Sequence, residues 1–126
     1  MKADPKCGDV EIELATETGE RRKFVLRPTF AAILEIEEQT GQSIFVLARK
    51  LSRGELGQHD AAHIITAGLN AAGETASYAT VGEMIARSGL ADVLGALGDF
   101  FGKILGGYQN AIDATAAPQD EAERVP

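Results

Sequence analysis

Polar and apolar positions alternate near the start of the chain. Val10, Ile12 and Leu14 are separated by Glu11 and Glu13, and Phe24 and Leu26 resume the alternation after the polar stretch Thr16-Glu17-Thr18-Gly19-Glu20. A period of two predicts strands with one buried face. Two such runs around a short Gly-containing loop predict an antiparallel hairpin. The period then changes. Residues 28–40 read as a helix with Phe30, Ile33, Leu34 and Ile36 on one broad face, opened by Pro28 at the first helical position and closed by Gly41. Glu37 falls inside that apolar sector, where a carboxylate is costly without a partner. It is read as reaching water at the helix end or meeting Arg27 or Arg49.

Helical spacing continues downstream, and these helices are expected to cover the hairpin and the first helix. Ser43 is a candidate N-cap for a helix that turns Ile44, Leu47, Ala48 and Leu51 inward. A third helix, residues 60–72, has Ala61, Ile64, Ile65, Gly68 and Leu69 on one face and His59, His63, Thr66 and Asn70 on the other. Thr80-x-x-Glu83 is a capping-box pattern that opens a short fourth helix with Val81, Met84 and Ile85 inward, ending at Gly89. The last helix, residues 90–111, carries the stripe Leu90, Leu94, Leu97, Phe101, Ile104, Leu105, Tyr108 and Ile112, with Asp92, Asp99 and Lys103 opposite. Beside the stripe runs a row of glycines: Gly95, Gly98, Gly102 and Gly106. An interior glycine costs a helix about 1 kcal/mol against alanine. The row therefore predicts close packing on another helix, within the protein or on a partner, over its first half, and weak order near Gly106-Gly107. The fold class is α+β, an N-terminal antiparallel β-hairpin followed by a mostly helical domain of about five helices. Residues 1–7 read as a flexible arm, 8–112 as a single domain and 113–126 as a disordered acidic tail.

Composition acts mainly by exclusion. The 126 residues suit one domain, and a net charge of −7 argues against nucleic-acid binding, which needs clustered Lys and Arg. A single cysteine, Cys7, forms no internal disulfide and suits a reducing compartment. The first residues lack a signal-peptide core, and no apolar run is long enough to span a membrane. The expected location is therefore cytoplasmic. His59 and His63 have a spacing seen in some zinc sites, but only Asp60 is nearby as a third ligand, so they are read as surface histidines. There is no phosphate-cradling glycine loop and no Gly-x-Ser-x-Gly elbow, and Cys7 lies in the arm. The charges of Asp9, Glu11, Glu13, Arg22, Lys23 and Arg27 read as a solvated face of the hairpin. No enzyme, cofactor or metal is expected; the residues point to an interaction protein.

The runs Gly8-Asp9-Val10-Glu11-Ile12, Phe24-Val25-Leu26-Arg27-Pro28-Thr29-Phe30 and Ile33-Leu34-Glu35-Ile36-Glu37 with Gly41 resemble the gene transfer agent and phage tail-assembly family of alphaproteobacteria and their prophages. The later segment Ile64 to Gly73 is similar to that family as well, and the resemblance covers residues 8–105. It implies a non-enzymatic tail assembly chaperone that binds the tape-measure protein and helps tail-tube subunits polymerise. The alternative is a structural component of the tail tube or its end, with self-association. A tube subunit needs long strands that close into a shared barrel, and two short strands favour the chaperone. The resemblance lands on Leu26, Arg27, Pro28, Phe30, Leu34 and Glu37, read as fold positions. The expected groove for a helical partner is Leu94, Leu97, Gly98, Phe101, Gly102, Ile104 and Leu105, unless that stripe completes the protein's own core.

Overall fold

A computed structural model describes residues 3–106 of the chain. Strands β1 (Val10–Ala15) and β2 (Arg21–Leu26) form an antiparallel hairpin, followed by helices α1 (Phe30–Thr40), α2 (Ile44–Ser52), α3 (Gln58–Ala71), α4 (Tyr78–Ser88) and α5 (Leu90–Gly106). The fold is α+β, as the alternation and the later helical periods predict. The register pairs Val10 with Leu26, Ile12 with Phe24 and Leu14 with Arg22. Val10, Ile12, Leu14, Phe24 and Leu26 are all buried. The turn is closed by the Thr16 amide donating to the Glu20 carbonyl at 2.8 Å, with Gly19 at φ 87°, a conformation that glycine adopts without strain.

Several boundaries differ from the sequence reading, each for a local reason. Pro28 does not open α1. Thr29 caps it, its hydroxyl accepting from the Ala32 amide at 3.1 Å, and the buried Pro28 precedes the cap. Proline also biases Arg27 towards extended backbone, which separates strand from helix. Gly41 does end α1, in the left-handed conformation. Ser43 caps α2 through the Val46 amide, as expected. For α4 the cap is Ser77, not Thr80: the Ser77 hydroxyl accepts from the Thr80 amide, so Thr80 lies one turn inside the helix. Residues 3–7, read as part of an arm, include a single 3-10 turn, Pro5–Cys7, capped by the Asp4 carboxylate. The Asp4 amide donates to the Asp9 carboxylate at 2.8 Å and ties that turn to β1.

The hairpin and α1 do not form the centre. That place belongs to α3, which packs on α1, α4, α5 and β2, while α4 and α5 pack on β1 and α2 packs on α5. Eight α3 residues are buried, from Asp60 to Leu69. The closest approach is at Gly68, where a Cβ would lie 3.1 Å from Leu26 Cβ and Cδ2. The Arg27 amide donates to the Gly68 carbonyl at 3.1 Å, which holds β2 at that separation. A second seam joins β1 to α4. The buried Ser88 hydroxyl donates to the Met84 carbonyl and accepts from the Ala15 amide at 2.8 Å. A buried amide left unpaired would cost about 1–3 kcal/mol.

The inner face of α5 is rotated from the predicted stripe. Val93, Leu97, Phe100 and Phe101 are buried, Leu94 and Ile104 pack half-buried against the core, and Leu105 is exposed. Three of the row's glycines do not pack closely among the described residues: a Cβ at Gly95, Gly98 or Gly102 would meet nothing within 4 Å. Burial of large apolar side chains at about 1.5–3 kcal/mol each offsets the glycines' cost. The readings at Gly107, Tyr108, Ile112 and the tail 113–126 lie outside the described residues. Among the described residues no helix is long and apolar enough to cross a membrane.

Candidate partner-binding surface

The predicted partner stripe divides between core and surface. Leu97 and Phe101 are inside the core, and Leu94 and Ile104 are half-buried against it. Gly98, Gly102 and Leu105 face outward. The stripe therefore does not form one open apolar groove in this fold. The second possibility in the sequence, completion of the protein's own core, accounts for its larger side chains.

Large apolar side chains are exposed elsewhere. Phe30 is 74% exposed and Leu34 48%, although both were placed on the inner face of α1. The helix turns Ala32 and Ile36 into the core, with Ile33 half-buried. Phe45 on α2 is 69% exposed. Sequence reading missed it, although it stands off the inner face made by Ile44, Leu47, Ala48 and Leu51, and that offset was the available signal. The corner between the two helices is fixed by Glu37. Its carboxylate meets neither Arg27 nor Arg49, but accepts from the Ile44 amide at 2.9 Å, at the positive end of α2. Leu34 and Glu37 are neighbours one turn apart on α1. The bond thus sets the first turn of α2, with Phe45, beside the end of that exposed face.

The other motif residues are structural in placement. Leu26 is fully buried against Gly68. Arg27 forms a two-pronged pair with Asp9, Nε to Oδ1 at 2.7 Å and a terminal guanidinium nitrogen to Oδ2 at 2.9 Å. The Asp9 side chain is fully buried, so this pair is not part of a solvated face. The bonds from Arg27 hold the Asp9 carboxyl below the usual carboxylate range, against the opposing effect of burial; the Asp4 amide adds to the lowering. Glu13 and Arg21 do form an exposed pair at 3.3 Å, and Arg22 lies over the Phe24 ring and near Glu74.

An open groove of about 330 Å³ lies between α1 and α3, lined among others by Thr29, Ala31, Glu35, His63, Thr66 and Asn70. Its polar groups are mostly engaged. Thr66 donates to the Ala62 carbonyl, and Asn70 holds the Ala76 amide and carbonyl. His63 stacks on Tyr78 with ring centroids 4.3 Å apart, and the Tyr78 hydroxyl meets His59 Nδ1 at 3.0 Å. Burial lowers the His63 pKa, and the neighbouring His59 adds to the effect. Asp60, the nearby acid in the metal reading, instead accepts from Gln42 at 3.1 Å and lies 3.8 Å from Lys50. No group of three or more His, Cys, Asp or Glu that could hold a metal gathers among the described residues. Cys7 donates to Asp4, and burial together with that carboxylate pushes its thiol up, away from the thiolate.

The model of the family described as "Phage tail tube protein, GTA-gp10" matches residues 11–107, from β1 through α5. This chain belongs to that family. The match agrees with the resemblance drawn from the motif residues, and it makes the chain a gene transfer agent or phage tail protein. Within this family setting, Leu26, Arg27, Pro28, Phe30, Leu34 and Glu37 all fall inside the matched segment, and so do the expected groove residues from Leu94 to Leu105. Neither the curated proteins nor the solved structures gave a match.

Proposed function

We propose that this tail-family chain is a non-enzymatic assembly chaperone that acts in the bacterial cytoplasm, holding the tape-measure protein while tail-tube subunits polymerise around it. The observation that carries the reading is the size of the sheet. It has two strands of six residues, and the rest of the described chain is helix and loop. A tube wall closed from strands needs long strands shared between subunits. A small helical protein with exposed aromatic side chains suits transient binding of other helices. Co-expression tests it. The tape-measure protein is expected to stay soluble and to co-purify with this chain, whereas aggregation in its presence as in its absence would overturn the reading.

A second reading is favoured by the family's own description: a structural subunit of the tail tube. It predicts rings or polymers of the purified chain and many copies in finished particles.

A further inference from the structure

Two exposed rows on neighbouring helices complement each other. On α1 the row is Phe30, Leu34 and Glu38, four residues apart and all exposed. On α2 it is Phe45, Arg49 and Arg53, with the same spacing and also exposed, Arg53 being the residue that ends the helix. Residues four apart form one row along a helix surface. Each row is apolar at its start and charged at its end, and the charges are opposite. The charge bias extends over both helices: α1 has Glu35, Glu37 and Glu38 and no base, while α2 has Arg49 and Lys50 and no acid. Among the described residues, Glu38, Arg49 and Arg53 enter no ion pair within the chain. Glu38 also lies in the last turn of α1, where the helix dipole disfavours an acid. A cation from outside would relieve that cost.

We propose that a second copy of this chain docks here, its α2 row lying parallel to the α1 row of the first. Phe30 then meets Phe45 of the partner copy and Glu38 meets its Arg53. The same pairing repeats with the roles of the copies exchanged, as a two-fold interface requires. Antiparallel docking would set Glu38 on an aromatic ring and leave its carboxylate without the Arg53 cation, so the charge order selects the parallel arrangement. The apolar start of each row supplies burial, and the charged end fixes register and excludes the reversed pairing. This surface is separate from the α5 stripe, and the proposal does not depend on the chaperone reading.

The test is sedimentation of the full chain from low to high micromolar concentration, with circular dichroism and thermal unfolding as controls for folding. A concentration-dependent dimer is expected. Phe45→Ser should weaken it about tenfold or more, since buried aromatic anchors dominate such interfaces. Glu38→Lys and Arg53→Glu should each weaken it about threefold, and the double exchange should restore it, with the charge effects fading in high salt. A chain that stays monomeric throughout overturns the proposal. So does a dimer insensitive to Phe45→Ser, or a double exchange no better than the single ones. Binding of a tape-measure helix to this row by an otherwise monomeric chain would also overturn it and assign the surface to that partner.

Discussion

Glycine has opposite consequences in α3 and α5. At Gly68 the helix lies so close to β2 that a methyl group would press on Leu26, and the Arg27 amide bonds the Gly68 carbonyl across the gap. At Gly95, Gly98 and Gly102 the space beside the backbone is open. The lone glycine in α3 is thus a packing requirement of the fold. The three glycines in α5, which look more deliberate in sequence, have no close neighbour among the described residues and there weaken the helix. Regular spacing of glycine therefore does not reveal close packing; what lies opposite decides it. The same division holds more widely. Around the hairpin Asp9 has Arg27 and Ala15 has Ser88, whereas the outer sides of α1, α2 and α5 carry residues with nothing opposite among the described residues.

Substitutions on the two sides should separate cleanly. The largest effect is expected at Arg27. Arg27→Ala leaves the Asp9 carboxylate with the Asp4 amide alone, and should lower the denaturant midpoint more than any other substitution in this series. A loss below about 1 kcal/mol, the level of an exposed pair, would return Asp9 to the solvated face that the sequence suggests. Acid should reach the same contact. Because the folded Asp9 pKa is lowered, its contribution is full above about pH 4, the ordinary aspartate value, and is lost as pH falls through the lowered folded value. Asp9→Asn should flatten that acid-side loss in thermal melts, whatever it does to stability at neutral pH.

Gly68→Ala comes next. Leu26 cannot retreat without stretching the Arg27 bond, so a loss of about 1–3 kcal/mol is expected despite alanine's better helix propensity. An unchanged or raised midpoint would show that β2 has room to move. Ser88→Ala should cost a similar or slightly smaller amount, about 1–3 kcal/mol, by orphaning the Ala15 amide. Hydrogen exchange at Ala15 reads that contact directly: faster exchange confined to the end of β1 is expected. The smallest effects have the opposite sign. Gly95→Ala and Gly98→Ala should each stabilise the monomer by up to about 1 kcal/mol. Loss of stability there would mean that the α5 backbone is approached closely after all.

The fold was legible where one period governs a segment. Alternation placed Val10, Ile12, Leu14, Phe24 and Leu26 inside, and the helical period found Ala61, Ile64, Ile65, Gly68 and Leu69 of α3 but not the buried Asp60, Ala62 and Ala67 beside them. It failed where several faces were nearly as apolar as one another. In α1, Phe30 and Leu34 outscore Ala32 in hydrophobicity, yet the crossing with α3 favours the small side chain on the inside. In α5, leucines spread over a wide arc hid the true centre at Val93 and Phe100. Polar partners were harder still. Asp9 and Arg27 belong to the same set of hairpin charges as Glu13 and Arg21, which stay exposed, and spacing does not tell the buried pair from the exposed one. Glu37 was singled out by its position, but its partner, the Ile44 amide, follows from the corner between α1 and α2 and not from spacing. The candidate surface suffered most, because a helix that looks like a groove in sequence had already been used to build the core.

Quantitative mass spectrometry of purified particles, set against the lysate that produced them, tests the assembly role most directly. A chaperone should be abundant in the lysate and missing from finished particles. Recovery in particles at many copies, in proportion to tail length, would contradict that role and make this chain a subunit of the tube itself.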